Sequence, residues 1–200
     1  MIPKQIVSLW LGDNPPELIK KCLATQKIPG FTHHMITLEN CHHNRYVDEC
    51  LNNTILTPGQ RYTKAADYLR MHYLYEHGGI FLDPDVEIVR SFTDDLLEKP
   101  MFVGVEENGF VSNAIVGAEA GHPVLADYLG KVDRNYIGTG ELIFPPGMYL
   151  WTELTKFDNR VMVYPTEWFL PFNWQSNTMR QTENTYTIHY FNRGWIKKEV

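Results

Sequence analysis

The stretch that most constrains the fold is 78-GGIFLDPDVEIV-89, in which a short apolar run meets two aspartates separated by one proline. Residues 80–82 are apolar and predict a buried strand. Asp83 and Asp85 are two residues apart, so in extended backbone both side chains point the same way. Pro84 has no N–H to donate, which disfavours an interior position in a sheet. We therefore expect both carboxylates where a strand leaves its sheet, at its carboxyl end.

The rest of the chain alternates between strand and helix patterns, which predicts a single α/β domain over residues 1–200 with a largely parallel sheet. Apolar runs predict strands at residues 4–11, 34–38, 80–82, 86–89, 101–105 and 114–117. Helical spacing and its flanking prolines and glycines predict helices at residues 17–26, 45–52, 60–77, 123–131 and 146–154. Ligands of open α/β sheets bind at the carboxyl ends of strands, where the two aspartates are expected.

The helix predicted at residues 60–77 has two distinct sides and ends at two glycines. One side is apolar, and the other carries Lys64, Asp67 and Arg70, which are three residues apart and therefore neighbours. Taken alone, such a row is typical of solvent-exposed salt bridges.

Two like charges held this close repel each other, and burying them unpaired is costly. A divalent cation such as Mg²⁺ or Mn²⁺ removes both problems, because these ions prefer oxygen ligands and commonly stay bound to substrate phosphates as well. Asp83 and Asp85 therefore predict a metal–diphosphate site, and the alternative is a turn with two solvated aspartates.

Two classes of metal enzyme have an apolar strand that ends in this pattern. One is the haloacid-dehalogenase type of phosphatase, whose first aspartate is a nucleophile and whose motif continues with threonine or valine two residues after the second aspartate. Glu87 stands at that position here. The pattern therefore favours the other class, nucleotide-sugar glycosyltransferases, in which the aspartates and the metal hold the donor diphosphate. A non-catalytic nucleotide-sugar-binding module is the remaining alternative.

Composition excludes several other functions. The formal net charge is −6, and the densest basic run is the pair Lys197-Lys198, so we expect no nucleic-acid partner. No window approaches the roughly 18 consecutive apolar residues of a membrane span, and residues 1–16 lack the features of a signal peptide. The 3 cysteines are too few for a disulfide framework. We expect a cytoplasmic protein, with contact at a membrane surface left open.

The segment 64-KAADYLRMHYLYEHGGIFLDPDVEIV-89 resembles the signature of glycosyltransferase family 32, the group with a DXD-containing sugar-binding region. Relatives of this family include yeast initiating mannosyltransferases, capsular polysaccharide transferases and the glucosylating domains of clostridial toxins. Further stretches resemble other parts of the family in the same order: Ile2-Pro3-Lys4 with Trp10 and Gly12, then 112-SNAIVGAEAGHP-123, then 187-TIHYFNRGW-195.

The resemblance implies a GT-A fold, Rossmann-like, with a mixed and largely parallel sheet flanked by helices. It also implies a nucleotide-sugar donor, with UDP-hexose favoured over GDP-mannose, and transfer with retention of anomeric configuration to a glycan or lipid-linked acceptor. The metal, Mn²⁺ or Mg²⁺, would be bound by Asp83 and Asp85, with His189 completing the metal shell or contacting phosphate.

The remaining site residues are also carried over from the resemblance. Trp10 would lie beside the nucleotide base, and Asp67 and Arg70 would point into the donor site. Asn113 would sit near the transferred sugar, and Trp195 would contact the β-phosphate.

Two questions stay open at this level. The sequence identifies no catalytic nucleophile, because several glutamates, among them Glu106 and Glu107, are equally eligible. The aromatic residues at 168–195 suit either an acceptor platform or ordinary core packing, and core packing is the expectation.

Overall fold

The structure, a computed structural model, describes residues 1–139 and 147–192. The strands are β1 (Gln5–Leu9), β2 (Thr32–Ile36), β3 (Gly79–Leu82), β4 (Val86–Ile88), β5 (Met101–Val105), β6 (Val111–Ala118), β7 (Met162–Tyr164), β8 (Phe172–Asn173), β9 (Thr178–Met179) and β10 (Thr187–His189). The helices are α1 (Glu17–Thr25), α2 (Arg45–Asn52), α3 (Pro58–His77), α4 (Asp94–Leu97), α5 (Pro123–Thr139), α6 (Gly147–Thr155) and α7 (Thr166–Phe169).

Six strands form the central sheet, in the order β2-β1-β3-β6-β5-β7. Strands β1, β2 and β3 run parallel to one another, and β7 runs parallel to β5. Strand β6 is antiparallel to both of its neighbours, β3 and β5. The carboxyl ends of β1, β3 and β5 therefore lie at the same edge of the sheet. This mixed, largely parallel arrangement confirms the predicted α/β class.

Side chains of the central strands alternate between two buried clusters, one on each face of the sheet. In β3, Phe81 belongs to the cluster that also contains residues of α2, α3, α5 and α6. Its neighbours Ile80 and Leu82 belong to the opposite cluster, with Phe169 and Tyr186. Both faces of the sheet are therefore covered by apolar packing.

Helix α3 starts two residues earlier than predicted because Thr57 caps it. The Thr57 hydroxyl accepts a hydrogen bond from the Gln60 N–H, and the Gln60 side chain accepts one from the Thr57 N–H. The helix stops at Gly78, whose φ is 67°. A Cβ atom there would lie 2.8 Å from the Ala120 nitrogen, so only glycine fits this turn into β3.

Two small antiparallel pairs lie outside the central sheet, and the sequence did not predict them as pairs. Strand β10 pairs with β4, which places His189 opposite Val86. Strands β8 and β9 form a hairpin near the end of the chain. Boundaries also differ elsewhere: β2 lies two residues before its predicted position, β6 begins three residues earlier, and α5 continues to Thr139.

The aromatic residues of the C-terminal part mostly belong to the core, as expected. Phe169 and Tyr186 are buried, and Trp168 packs against their cluster. Trp174 differs from them because 40% of its surface is exposed. Among the described residues, no helix has the length and apolar character needed to cross a membrane.

The three cysteines provide a test of this packing. All three are free and buried. Burial raises the pKa of Cys22 and of Cys50 to about 11, with smaller contributions from neighbouring carboxylates. Since the thiolate is the reactive form, we expect native Cys22 and Cys50 to react with iodoacetamide at pH 8 roughly a hundredfold more slowly than a free thiol.

Mass spectrometry after timed labelling would measure those rates, with the urea-unfolded protein as the reference in which all three thiols react. Rapid labelling of native Cys22 would contradict the packing of α1 against β4.

Candidate active site

Asp83 and Asp85 lie in a tight turn immediately after β3. The Asp83 N–H donates to the Ala114 carbonyl (2.8 Å), which is the last link of the strand to β6. The Val86 N–H then donates to the Asp83 carbonyl (3.0 Å), closing a four-residue turn with Pro84 at its second position. The predicted location at the carboxyl end is confirmed. The predicted extended backbone between the aspartates is wrong, because proline favours this turn.

Gln26, which sequence reasoning missed, anchors this turn from α1. Its side chain is fully buried, and its amide donates to the carbonyls of Asp83 (3.0 Å) and Val86 (2.7 Å). Its amide oxygen accepts a hydrogen bond from the Ser8 hydroxyl. The preceding Thr25 accepts a hydrogen bond from the main chain of β4 (3.0 Å). A buried glutamine after a helix carries no sequence signal of such a long-range contact.

His189 reaches the turn because β10 pairs with β4. Its Nε2 lies 3.2 Å from Oδ1 of Asp85. One ligand atom from each of Asp83, Asp85 and His189 lies within 4.8 Å of the others, and this is the one such group of three found in the part of the chain that the structure describes. The Nδ1 atom of His189 is buried without a hydrogen bond to any described residue. Two carboxylates and an imidazole suit a divalent cation.

Asp85 is held by several donors besides His189. The Asn192 N–H donates to Oδ2 of Asp85 (2.6 Å), and the Tyr190 N–H donates to its carbonyl (3.1 Å). Burial alone would raise the pKa of Asp85, but the charge and hydrogen bond of His189 and the Asn192 N–H outweigh it, so the pKa lies below its usual value. Burial, the largest single effect, lowers the pKa of His189, but the charge and hydrogen bond of Asp85 together with the charges of Asp83 and Glu106 outweigh it, so the pKa lies above its usual value.

Arg70 forms an ion pair with Asp83, the other carboxylate of the turn. Its guanidinium lies 2.9 Å from Oδ1 of Asp83 and 3.3 Å from Oδ1 of Asp67, and it also donates to the Asn113 carbonyl (3.0 Å). It packs over the ring of Phe81, with 4.9 Å to the centroid. Burial and, to a smaller extent, the Asp85 charge raise the pKa of Asp83 to about 6, against the opposing effect of Arg70.

The row Lys64, Asp67 and Arg70 is therefore not a solvent-exposed series of salt bridges. Arg70 is 5% exposed and Lys64 is 7% exposed. Asn113, at the start of β6, donates from its side chain to Oδ1 of Asp67 (3.1 Å). Burial raises the pKa of Asp67, partly offset by the Arg70 charge. Asp67, Arg70, Asn113 and Asp83 thus form one hydrogen-bonded network, and their contacts with a donor stay predictions.

Trp10 follows β1 at the same edge of the sheet. Its main-chain N–H donates to the Ile36 carbonyl (2.9 Å), and its indole N–H donates to the carbonyl of Asp13. The ring is half-buried, so contact with a nucleotide base stays a prediction. Trp195 lies outside the described residues.

This fold is shared with solved glycosyltransferases. The PaToxG glycosyltransferase is 20% identical, with a TM-score of 0.55, over 76% of this chain and 67% of that one. A glycosyltransferase involved in glycosylation of the major capsid of PBCV-1 is 10% identical, with a TM-score of 0.52 and 92% of both chains covered. An active-site mutant of LgtC is 13% identical, with a TM-score of 0.52, over 94% of this chain and 87% of that one.

The fold is of the GT-A type that these solved glycosyltransferases share. Residues 1–127 match the family described as capsular polysaccharide synthesis protein, and the chain belongs to that family. Inositol phosphoceramide mannosyltransferase 3 of Schizosaccharomyces pombe is 38% identical over 71 residues, which is 36% of this chain and 20% of that protein. The alignment thus spans about one fifth of the relative's length. The family resemblance inferred from the sequence is confirmed.

Arg70 gives the first prediction for this site. Replacing it with methionine keeps the apolar contact with Phe81 but leaves Asp67 and Asp83 without their cation, so we expect a loss of about 3 kcal/mol in the free energy of unfolding. Urea denaturation would measure it. The matched control is Arg45→Met, which removes an exposed i,i+4 pair and should cost under about 0.5 kcal/mol. Equal losses in both variants would contradict a compensating role for Arg70.

Gln26 gives the second prediction. Gln26→Leu removes the buried donor of two main-chain carbonyls, which should lower the free energy of unfolding by about 1–3 kcal/mol. Gln181→Leu, at an exposed position, is the control and should change the stability little. An unchanged urea midpoint in Gln26→Leu would show that the turn does not depend on this anchor.

Proposed function

We propose that this chain, as a single domain, is a metal-dependent glycosyltransferase that moves a hexosyl group from a nucleotide-sugar donor to a hydroxyl of a glycan or lipid-linked acceptor. The observation that carries the proposal is the convergence of Asp83, Asp85 and His189 at the end of β3 in a GT-A fold.

The three side chains that converge fit a metal ion and a diphosphate together. Asp83, Asp85 and His189 would hold Mn²⁺ or Mg²⁺, which when bound stabilises the negative charge that develops on the leaving diphosphate. His189 would bind the cation as the neutral imidazole, so any proton on the ring would be released when the metal binds.

Arg70 and its partners would hold the donor. Its guanidinium keeps its proton throughout, so it contributes a fixed positive charge beside the site. Asp67 and Asn113 orient it through hydrogen bonds already in place, which reduces the reorganisation needed when the donor binds. Trp10 would contact the base at the end of β1, and Trp195 is proposed for the β-phosphate.

In the transfer step, the bond between the sugar C1 and the diphosphate oxygen breaks, and its electron pair leaves with the diphosphate. The acceptor oxygen forms the new bond to C1, and its proton passes to the departing diphosphate. Asp67 and Asp83 are ion-paired with Arg70, and Asp85 is paired with His189. Since these carboxylates are engaged, we favour retention through attack from the side of the leaving group over a covalent intermediate.

The donor is proposed as UDP-hexose first and GDP-mannose second. The family that the sequence resembles includes enzymes that use either donor, and the fission-yeast relative is named as a mannosyltransferase. A nucleotide screen separates the two, because the base is read by groups distinct from those that hold the diphosphate.

The test is a thermal-shift screen of UDP, GDP and their sugars, with and without Mn²⁺. A ligand that binds only the folded state adds about 2.7 kcal/mol of stability at a hundred times its Kd. We expect one nucleotide series to raise the Tm in a Mn²⁺-dependent manner, and Asp85→Asn to abolish that shift. Asp95→Asn, an exposed carboxylate in α4, is the control and should respond like the wild type.

The outcomes separate the alternatives. A Mn²⁺-independent shift that persists in Asp85→Asn would show that the metal site is assigned wrongly. Nucleotide-sugar binding with neither donor hydrolysis nor transfer would indicate a non-catalytic binding module. Sugar transfer can be measured by chromatography of the released nucleotide. Transfer by the wild type that is lost in Asp85→Asn would support the proposed reaction.

A further inference from the structure

A hollow lies beside the candidate metal site, at the carboxyl end of β5. One wall is the loop after β5, including Glu107, and the other is the β8–β9 hairpin, including Asn173 and Trp174. Phe191 closes the side that faces the metal site. Strands β3 and β5 are parallel, so their carboxyl ends bring this hollow and the Asp83–Asp85 turn to the same edge.

Phe191 forms the wall shared by the two sites. Its ring centroid lies 4.0 Å from that of His189. Its φ of 49° is in the left-handed region, which a bulky side chain rarely adopts, so the surrounding structure imposes this conformation. A group bound in the hollow would therefore be separated from the imidazole of His189 by the ring of Phe191 alone.

The polar wall of the hollow is fixed in place. The carboxylate of Glu107 lies 3.0 Å from the guanidinium of Arg180, and the Asn173 side-chain amide donates to it. The Asn173 side-chain oxygen accepts from the N–H groups of Gln175 (2.8 Å) and Ser176 (3.0 Å), which shapes the hairpin turn. The side chain of Glu107 remains 31% exposed, so it retains capacity to accept hydrogen bonds from a ligand.

Trp174 stands in the same hairpin with 40% of its surface exposed, whereas Phe169 and Tyr186 nearby are buried. A flat, partly exposed indole next to a fixed carboxylate and amides matches the way protein sites bind sugars. The apolar C–H face of a pyranose packs on the ring, and its hydroxyls donate to the oxygens. A site for a fatty chain would lack the charged wall.

We propose that this hollow is the acceptor subsite, and that it takes a pyranose whose ring stacks on Trp174 while its hydroxyls donate to Glu107. This inference rests on the proposed function and adds its acceptor class. Trp174 and Glu107 are binding residues, and the bond-making step remains the one given above.

The test compares two reactions of the full chain with its nucleotide sugar: hydrolysis of the donor by water, and transfer to methyl glycosides of glucose, galactose and mannose. We expect Trp174→Ala and Glu107→Gln to raise the acceptor KM about tenfold, equivalent to ~1.4 kcal/mol, and to lower the ratio of transfer to hydrolysis accordingly. Tyr75→Ala, which removes a similarly exposed ring (37%) from α3, should keep the wild-type ratio.

A direct binding measurement accompanies the kinetics. Saturation-transfer NMR with the same methyl glycosides should detect binding to the wild type and a loss in Trp174→Ala, with thermal melts verifying that the variant is folded. An unchanged ratio, or equal losses of both reactions, would overturn the acceptor assignment. If the wild type performs neither reaction, the proposed function fails, and the NMR arm alone decides whether the hollow binds sugar.

Discussion

The site depends on the buried guanidinium of Arg70. A strand that ends in two aspartates would place two negative charges at the margin of an apolar core, where unpaired charges are strongly disfavoured. Arg70 compensates Asp83 and Asp67 together, and the imidazole of His189 lies against Asp85. The carboxylates can therefore stay close to each other before any ligand binds. Helix α3 positions Arg70 over Phe81 of β3. The helix is capped by Thr57 and ends before Gly78.

The turn between β3 and β4 is held from both ends of the chain. Gln26 binds its carbonyls from the N-terminal side, and β10 brings the main chain of Tyr190 and Asn192 to Asp85 from the C-terminal side. The ligand geometry thus exists only when segments more than 100 residues apart in sequence have come together. Local strand and turn preferences alone do not determine where the side chains of Asp83 and Asp85 point.

This long-range assembly explains which parts could be predicted from sequence. The capped helix α3 and the apolar strands β1 to β6 carry local signals, and their positions were predicted to within a few residues. The turn at Asp83-Pro84-Asp85 was placed correctly at the strand end but predicted as extended backbone. Periodicity showed that Lys64 and Arg70 share a face, but it could not show that the face is buried, because burial depends on β6 packing against it. Gln26 carries no local signal at all. His189 was predicted through the family resemblance rather than through any spacing.

The topology of the sheet also accounts for the position of the two candidate sites relative to each other. Strand β6 runs antiparallel between β3 and β5, so those two strands end at the same edge with one strand between them. A transfer reaction needs the leaving diphosphate and the acceptor hydroxyl on the same side of one sugar ring if configuration is retained. Sites at neighbouring strand ends, separated by the ring of Phe191, satisfy that need without any large movement of the fold. The order of the strands, rather than any single residue, therefore sets the distance between the candidate metal site and the proposed acceptor hollow.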